Sequence, residues 1–193
     1  METGRNETQT EGDDDLIRRV AKGDKLAMKV LFARHNVRVF RFILRFGVDQ
    51  ATAEDLVSDV FLDIWRQAGR FEFRSSATTW MLGMARFKVL SSRRQRRETV
   101  DSDDAMAELA DDEDTPEVAA QKRSKADALR ECLNALSEDH KEVVDLVYYH
   151  DKSIKEVAEI VGVPENTVKT RMFHARKKLS EIMRRAGIDR GWP

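Results

Sequence analysis

Cysteine is all but missing from this 193-residue chain: Cys132 stands alone, so no internal disulfide can form. Its four histidines are scattered, with no Cys-x-x-Cys or His-x-x-x-His spacing, so no metal site and no cofactor are expected. No apolar run reaches the roughly 18–20 residues that a membrane helix needs, and the first fifteen residues are acidic, the reverse of a secretory signal. A cytoplasmic location without membrane insertion is therefore expected. Hairpin signals are missing as well: there is no Asn-Gly or Asp-Gly, and no stretch alternates with period two for the length of a strand. Lacking also a Gly-rich phosphate loop, a nucleophile motif or a metal triad, the chain is not expected to be an enzyme.

What the chain does hold is charge, at 36% of residues, and the charge is segregated. A net value of −1 hides −5 over residues 1–15, +10 over 16–98, −9 over 99–118 and +3 over 119–193. Two basic blocks divided by a polyanionic strip predict two domains and a linker, with both domains facing something negative. The strip (TVDSDDAMAELADDEDTPE) has no aromatic residue and repels itself, which predicts a flexible spacer.

Apolar residues recur with helical spacing in both blocks. Ala53, Leu56, Val57, Val60, Phe61, Ile64 and Trp65 fall on one stripe, with Thr52 and Asp55 as a candidate capping box and Gly69 ending the pattern. Leu16, Ile17 and Val20 form a shorter amphipathic turn, and a second helix is expected from Ala27 through Leu44 toward Gly47. Another is expected from about Ser76 to Arg97, with Met81, Leu82, Ala85 and Val89 on one side. The fold class is therefore all-α.

The C-terminal block has a sharper pattern. Ser153 and Glu156 box the start of a short helix, Gly162-Val163-Pro164 makes a turn, and a longer helix runs on to about Arg185. A short helix, a glycine-containing turn and a longer helix make a helix-turn-helix. Val168, Met172, Ala175, Leu179 and Ile182 face inward on the last helix. Between Pro164 and Leu179 five basic residues oppose Glu165 alone, a surplus suited to the major groove and its phosphates.

The first block has a different nucleic-acid pattern. RFEFRSSATTW, Arg70 to Trp80, interleaves aromatics, arginines and hydroxyls, and the next helix ends in SSRRQRRE. Aromatic faces beside arginines suit unpaired bases and their backbone. Phe71, Phe73 and Trp80 could equally close a helical core.

Three segments in order carry a family resemblance: ATAEDLVSDVFLDIWR at 51–66, RSSATTWMLGMARFKVL at 74–90 and SIKEVAEIVGVPENTVKTRMFHARKKL at 153–179. The chain resembles a bacterial extracytoplasmic-function (ECF, group IV) sigma factor of the sigma-70 family. The resemblance implies an acidic N-terminus (1–13), sigma domain 2 (14–98), an acidic linker (99–124), sigma domain 4 with its helix-turn-helix (125–187) and a tail (188–193). It implies binding to core RNA polymerase, promoter selection and DNA melting, with control by an anti-sigma factor. A helix-turn-helix regulator acting without polymerase is the alternative, but the upstream block fits no dimerisation, ligand or phosphoacceptor module.

By position, the resemblance puts Asp55, Asp59, Leu62, Asp63 and Arg66 on the β′ clamp helices, with the β flap a further polymerase contact. Phe71, Phe73, Arg74, Ser75, Ser76, Thr78 and Trp80 would take the minus-ten element of the non-template strand, with Arg86, Lys88, Arg93 and Arg94 on its backbone. Asn166, Thr167, Lys169, Thr170, Arg171, Phe173, His174, Arg176 and Lys177 would face the minus-35 element. Two positions depart from the family pattern: His174 stands where arginine is frequent, and Phe87 where asparagine is frequent. The family role carries two further expectations: the free chain binds promoter duplex weakly, because tethered domains are not held in register, and the linker threads the polymerase RNA channel.

Overall fold

The computed structural model describes residues 11–99 and 132–185, the side chains of 97–99 excepted. The described residues are helical, with no strand among them. The acidic strip and the RNA-channel expectation attached to it lie outside the described residues from Val100 on.

Four helices form the first unit. Helix α1 (Asp13–Ala21) opens on three aspartates at the positive end of its dipole and buries Leu16, Ile17 and Val20. Gly23, at φ +85°, turns the chain into α2 (Lys25–Leu44). Asp24 caps α2 by accepting from the amides of Leu26 and Ala27 at 2.9 and 3.1 Å, while Arg19 donates to its other oxygen.

Helix α3 (Gln50–Gln67) carries the expected apolar stripe, buried from Ala53 to Ile64. Its cap differs from the sequence expectation. Asp49, not Thr52, is the N-cap, accepting from the Thr52 amide at 2.8 Å and from its hydroxyl at 2.7 Å. A 3-10 turn (Ala68–Arg70) and a loop lead to α4 (Ala77–Thr99), whose Met81, Leu82, Ala85 and Val89 close the core.

The second unit comprises α5 (Glu138–Tyr148), α6 (Ile154–Val161) and α7 (Glu165–Arg185). The capping box is formed as expected: Ser153 accepts from the Glu156 amide, and the Glu156 carboxylate accepts from the Ser153 amide. Gly162 then takes a left-handed conformation at φ +74°, which lets α7 turn back across both α5 and α6. Val168, Met172, Ala175 and Leu179 of α7 are buried and Ile182 partly so. Cys132 is buried at 1% exposure, a small apolar core residue.

The units are in contact. Helix α6 of the second packs along α4 of the first and sets the surroundings of the hydroxyls on α4, while acids of α5 meet its arginines.

Candidate nucleic-acid interface

The loop between the 3-10 turn and α4 is built on an aromatic stack. Phe71 lies on Trp80 with centroids 4.5 Å apart and planes at 23°, and Phe73 tilts against Phe71 at 4.7 Å. Phe73 has φ 56°, a backbone region that a bulky residue occupies only when its surroundings impose it. The Arg18 guanidinium of α1 sits over its ring, 4.4 Å from the centroid. All three aromatics are partly buried, so they pack against the core and still present surface. Arg74 is exposed beside Glu72 at 2.8 Å, and Ser75 is half-buried.

Helix α4 has three faces. One is the core line. A second carries Thr79, Arg86 and Arg93 toward the second unit. Arg86 donates through Nε to Glu142 Oε1 at 2.6 Å, and Arg93 to Glu138 Oε2 at 2.9 Å and to the Phe46 carbonyl. The third, with Trp80, Phe87 and Arg94, is not covered by α6; Lys88 reaches sideways to Asp63 of α3 at 2.8 Å.

At the N-terminus of α4 the hydroxyls form a cluster with the second unit. Glu156 Oε1 accepts from Ser76 at 2.9 Å, from Thr79 at 2.7 Å and from Lys152 at 3.0 Å, and Lys152 also donates to Ser76 and Thr78. Burial opposes ionisation of Glu156, but the hydrogen bonds from Thr79, Ser153 and Lys152 outweigh it and hold its carboxyl well below the usual range. Nearby, buried Asp145 pairs with Arg45 at 3.2 Å. His150 Nε2 lies 3.1 Å from Asp145 Oδ2 but outside hydrogen-bond geometry.

The structure therefore brings together Ser76, Thr78, Arg86 and Arg93, but it does so against carboxylates and a lysine of the second unit. Sequence reasoning missed Glu138, Glu142, Lys152 and Glu156 as partners. The Ser153/Glu156 box was visible; the interdomain use of the same carboxylate had no spacing signal.

On α3, Asp55, Asp59, Leu62 and Arg66 are exposed, Leu62 at 50%, whereas Asp63 is held by Lys88. Leu62 lines an apolar groove between α2 and α3 with Met28, Phe32, Phe61 and Trp65. On α7, Asn166, Lys169, Thr170, Phe173, His174, Arg176 and Lys177 are exposed, while Thr167 is half-buried. Arg171 is the exception on that helix, paired with Asp139 of α5 at 2.6 Å. Among the described residues no His, Cys, Asp and Glu group could hold a metal, and no helix is long and apolar enough to cross a membrane.

Two family models match this arrangement: sigma-70 region 2 over residues 31–99 and sigma-70 region 4 over residues 126–179. The ECF RNA polymerase sigma factor SigK of Mycobacterium tuberculosis (strain H37Rv) is 28% identical over 183 residues, covering 88% of this chain and 92% of its own. The RNA polymerase sigma-H factor of Pseudomonas aeruginosa is 26% identical over 182 residues, covering 90% and 94%. CnrH, solved in complex with the cytosolic domain of CnrY, shares the fold at TM-score 0.66 and 23% identity over 90% of this chain and 97% of that one. RpoE of Bartonella quintana, solved with the anti-sigma factor NepR, does so at TM-score 0.66 and 24% identity over 81% and 96%. The chain belongs to the sigma-70 family, as a sigma factor of the ECF group.

Proposed function

We propose that the chain binds core RNA polymerase through the outer face of α3 and the groove beside it, and so brings two DNA-binding surfaces to a promoter. The Phe71–Trp80 loop and the start of α4 take unpaired non-template bases of the minus-ten element. Helix α7 enters the major groove of the minus-35 element, with Lys169, Thr170, Phe173, His174 and Arg176 toward base edges and phosphates. Extracting a base from the stack costs a few kcal/mol, which the loop contacts offset. An anti-sigma factor holding the protein inactive is the natural control, as partners of that kind are seen on RpoE. The domain division at residues 98, 124 and 187 is part of this reading.

The observation that carries the proposal is the pairing within one chain of two unlike cationic surfaces. One has stacked aromatics (Phe71 on Trp80) beside arginines; the other is a capped helix-turn-helix with a basic outer face. A regulator that reads duplex DNA by itself needs only the second.

Because the Glu156 carboxylate of α6 and Lys152 just before it occupy Ser76, Thr78 and Thr79, this arrangement is a closed form. Promoter engagement requires α6 to leave α4. In this reading the closed form adds to the loose tether as a second reason for the free chain to bind promoter DNA weakly.

The test is reconstitution: purified chain added to core polymerase, with run-off transcription from promoter libraries. Promoter-dependent transcripts are expected only when both components are present. Tight duplex binding by the chain alone, with no transcript on adding core enzyme, identifies the polymerase-independent regulator instead. Within the working system, Leu62→Asp is expected to lower affinity for core enzyme about tenfold or more by placing a charge where an apolar contact forms.

A further inference from the structure

Where the two units meet, a cleft of about 210 Å³ lies between the end of α2, the middle of α4 and one face of α5. That is more room than the roughly 150 Å³ cavity that takes up benzene, and less than the roughly 300 Å³ of the smallest drug-sized pockets. Its apolar wall comes from both units: Phe42, Phe46 and Leu90 on one side, Leu133, Val144 and Tyr149 on the other. Leu90 keeps 38% of its surface exposed and Tyr149 52%, so contact between the units leaves this wall incompletely covered.

Charge around the cleft is unevenly matched. Glu138, Lys141, Glu142 and Asp145 follow i, i+3, i+4 and i+7, the face that α5 turns to the first unit. Every acid lining the cleft is taken by an arginine: Glu142 by Arg86, Asp145 by Arg45, Glu138 by Arg93 and Asp139 by Arg171. Lys141, half-buried on that face, has no ion pair among the described residues. Arg45 meets Asp145 through Nε, and its guanidinium lies over the Tyr149 ring, 4.7 Å from the centroid.

We propose that this cleft binds a small amphipathic anion, an aromatic or branched aliphatic carboxylate, whose apolar part covers Leu90 and Tyr149 and whose carboxylate meets Lys141. An amine of the same shape would find only carboxylates already held by arginine, and the unopposed Lys141 ammonium would repel it. Touching both units at once, the ligand stabilises their contact by mass action and disfavours separation of α6 from α4. The site stands on the cleft itself. Its consequence, a sigma factor held inactive by an organic acid, rests on the reading of the closed form given above.

The experiment titrates the full chain with phenylacetate, its neutral amide phenylacetamide, the cation phenethylamine and ringless acetate, read by isothermal calorimetry and thermal melting. Phenylacetate is expected to saturate one site about fivefold more tightly than the amide, from the one ion pair it adds, with acetate and phenethylamine showing no measurable binding. At about a hundred times its Kd it should raise the melting temperature by about 5 °C. Lys141→Gln should bring phenylacetate down to the affinity of the amide. Leu90→Trp, which fills the cleft from α4, should abolish binding of both while the chain still melts cooperatively. Absence of saturable binding up to about 10 mM overturns the proposal, as does phenethylamine binding as tightly as phenylacetate. Binding untouched by both substitutions overturns it also, by placing the molecule elsewhere. Reconstituted transcription separates the site from the parent reading: phenylacetate should lower promoter-dependent transcripts with wild type and spare those made with Lys141→Gln. Binding with the stated preferences but undiminished transcripts upholds the site and overturns the closed form as the inactive state.

Discussion

At the scale of single residues, His35 is the clearest pH-sensitive element. It is buried in α2, with Nε2 2.8 Å from Asp13 Oδ2 of α1. Burial pushes its pKa below the usual value; Asp13 pulls the other way without prevailing, and Arg38 and Arg34 add to the lowering. A base whose folded value is depressed contributes stability above its unfolded pKa of about 6.5 and loses it as pH falls below that. The melting temperature should therefore drop between pH 7.5 and 5.5, and His35→Gln should flatten that segment of the profile. Parallel curves for the two proteins in a calorimetric pH series would remove His35 as the cause. His174 makes a prediction of a different kind. Exposed on α7, it cannot give the bidentate contact to guanine that a guanidinium gives. His174→Arg should add a preference for guanine at one minus-35 position, about 1–3 kcal/mol by promoter-library selection. An unchanged selected sequence would mean that this side chain does not face a base edge.

At the scale of elements, caps decide where the helices begin. Ser153→Ala removes the hydroxyl that accepts from the Glu156 amide and should cost about 1 kcal/mol in chemical denaturation. No measurable loss would mean that α6 is held by packing of Val157 and Ile160 alone. This box was legible because both its members sit in one local motif. Most of the fold was legible for the same reason: the apolar stripe of α3 and the inward line of α7 are periodic, and both are buried. The start of α3 was less legible. Asp49-x-x-Thr52 and Thr52-x-x-Asp55 have the same spacing, and the Asp49 carboxylate prevails by accepting from both the amide and the hydroxyl of Thr52. The contacts between the units were not legible at all. Arg86 with Glu142 and Thr79 with Glu156 lie 56 and 77 positions apart, and no periodicity links residues across a linker. The surface groups Lys169, Phe173 and Leu62 could be named from sequence because an exposed apolar or basic residue breaks a helix pattern. That α6 would cover Ser76 and Thr78 depends on tertiary packing alone.

At the scale of the whole molecule, the acids of α5 and α6 occupy groups that the minus-ten strand would need. Glu142 is 9% exposed at its side chain and Arg86 23%, so added salt screens this pair less than a surface one. Glu156, with its carboxyl held low, stays ionised at neutral pH and keeps its hydrogen bonds from Ser76 and Thr79. A Glu142→Gln, Glu156→Gln double variant removes both charges while nearly preserving shape. It should leave Arg86 and Lys152 seeking an anion, and a single-stranded phosphate backbone supplies one. The isolated double variant should bind a fluorescent minus-ten oligonucleotide about tenfold more tightly than wild type, a gain of ~1.4 kcal/mol. Its radius of gyration by small-angle X-ray scattering should increase as α6 parts from α4. Adding Arg86→Gln should reverse most of the binding gain without restoring compactness, which separates release of the surface from a general change in charge. Unchanged oligonucleotide affinity and an unchanged scattering profile in the double variant would mean that apolar packing of α6 on α4 closes the molecule. The acidic groups would then be passengers of that contact, and opening would depend on polymerase displacing the helix as a body.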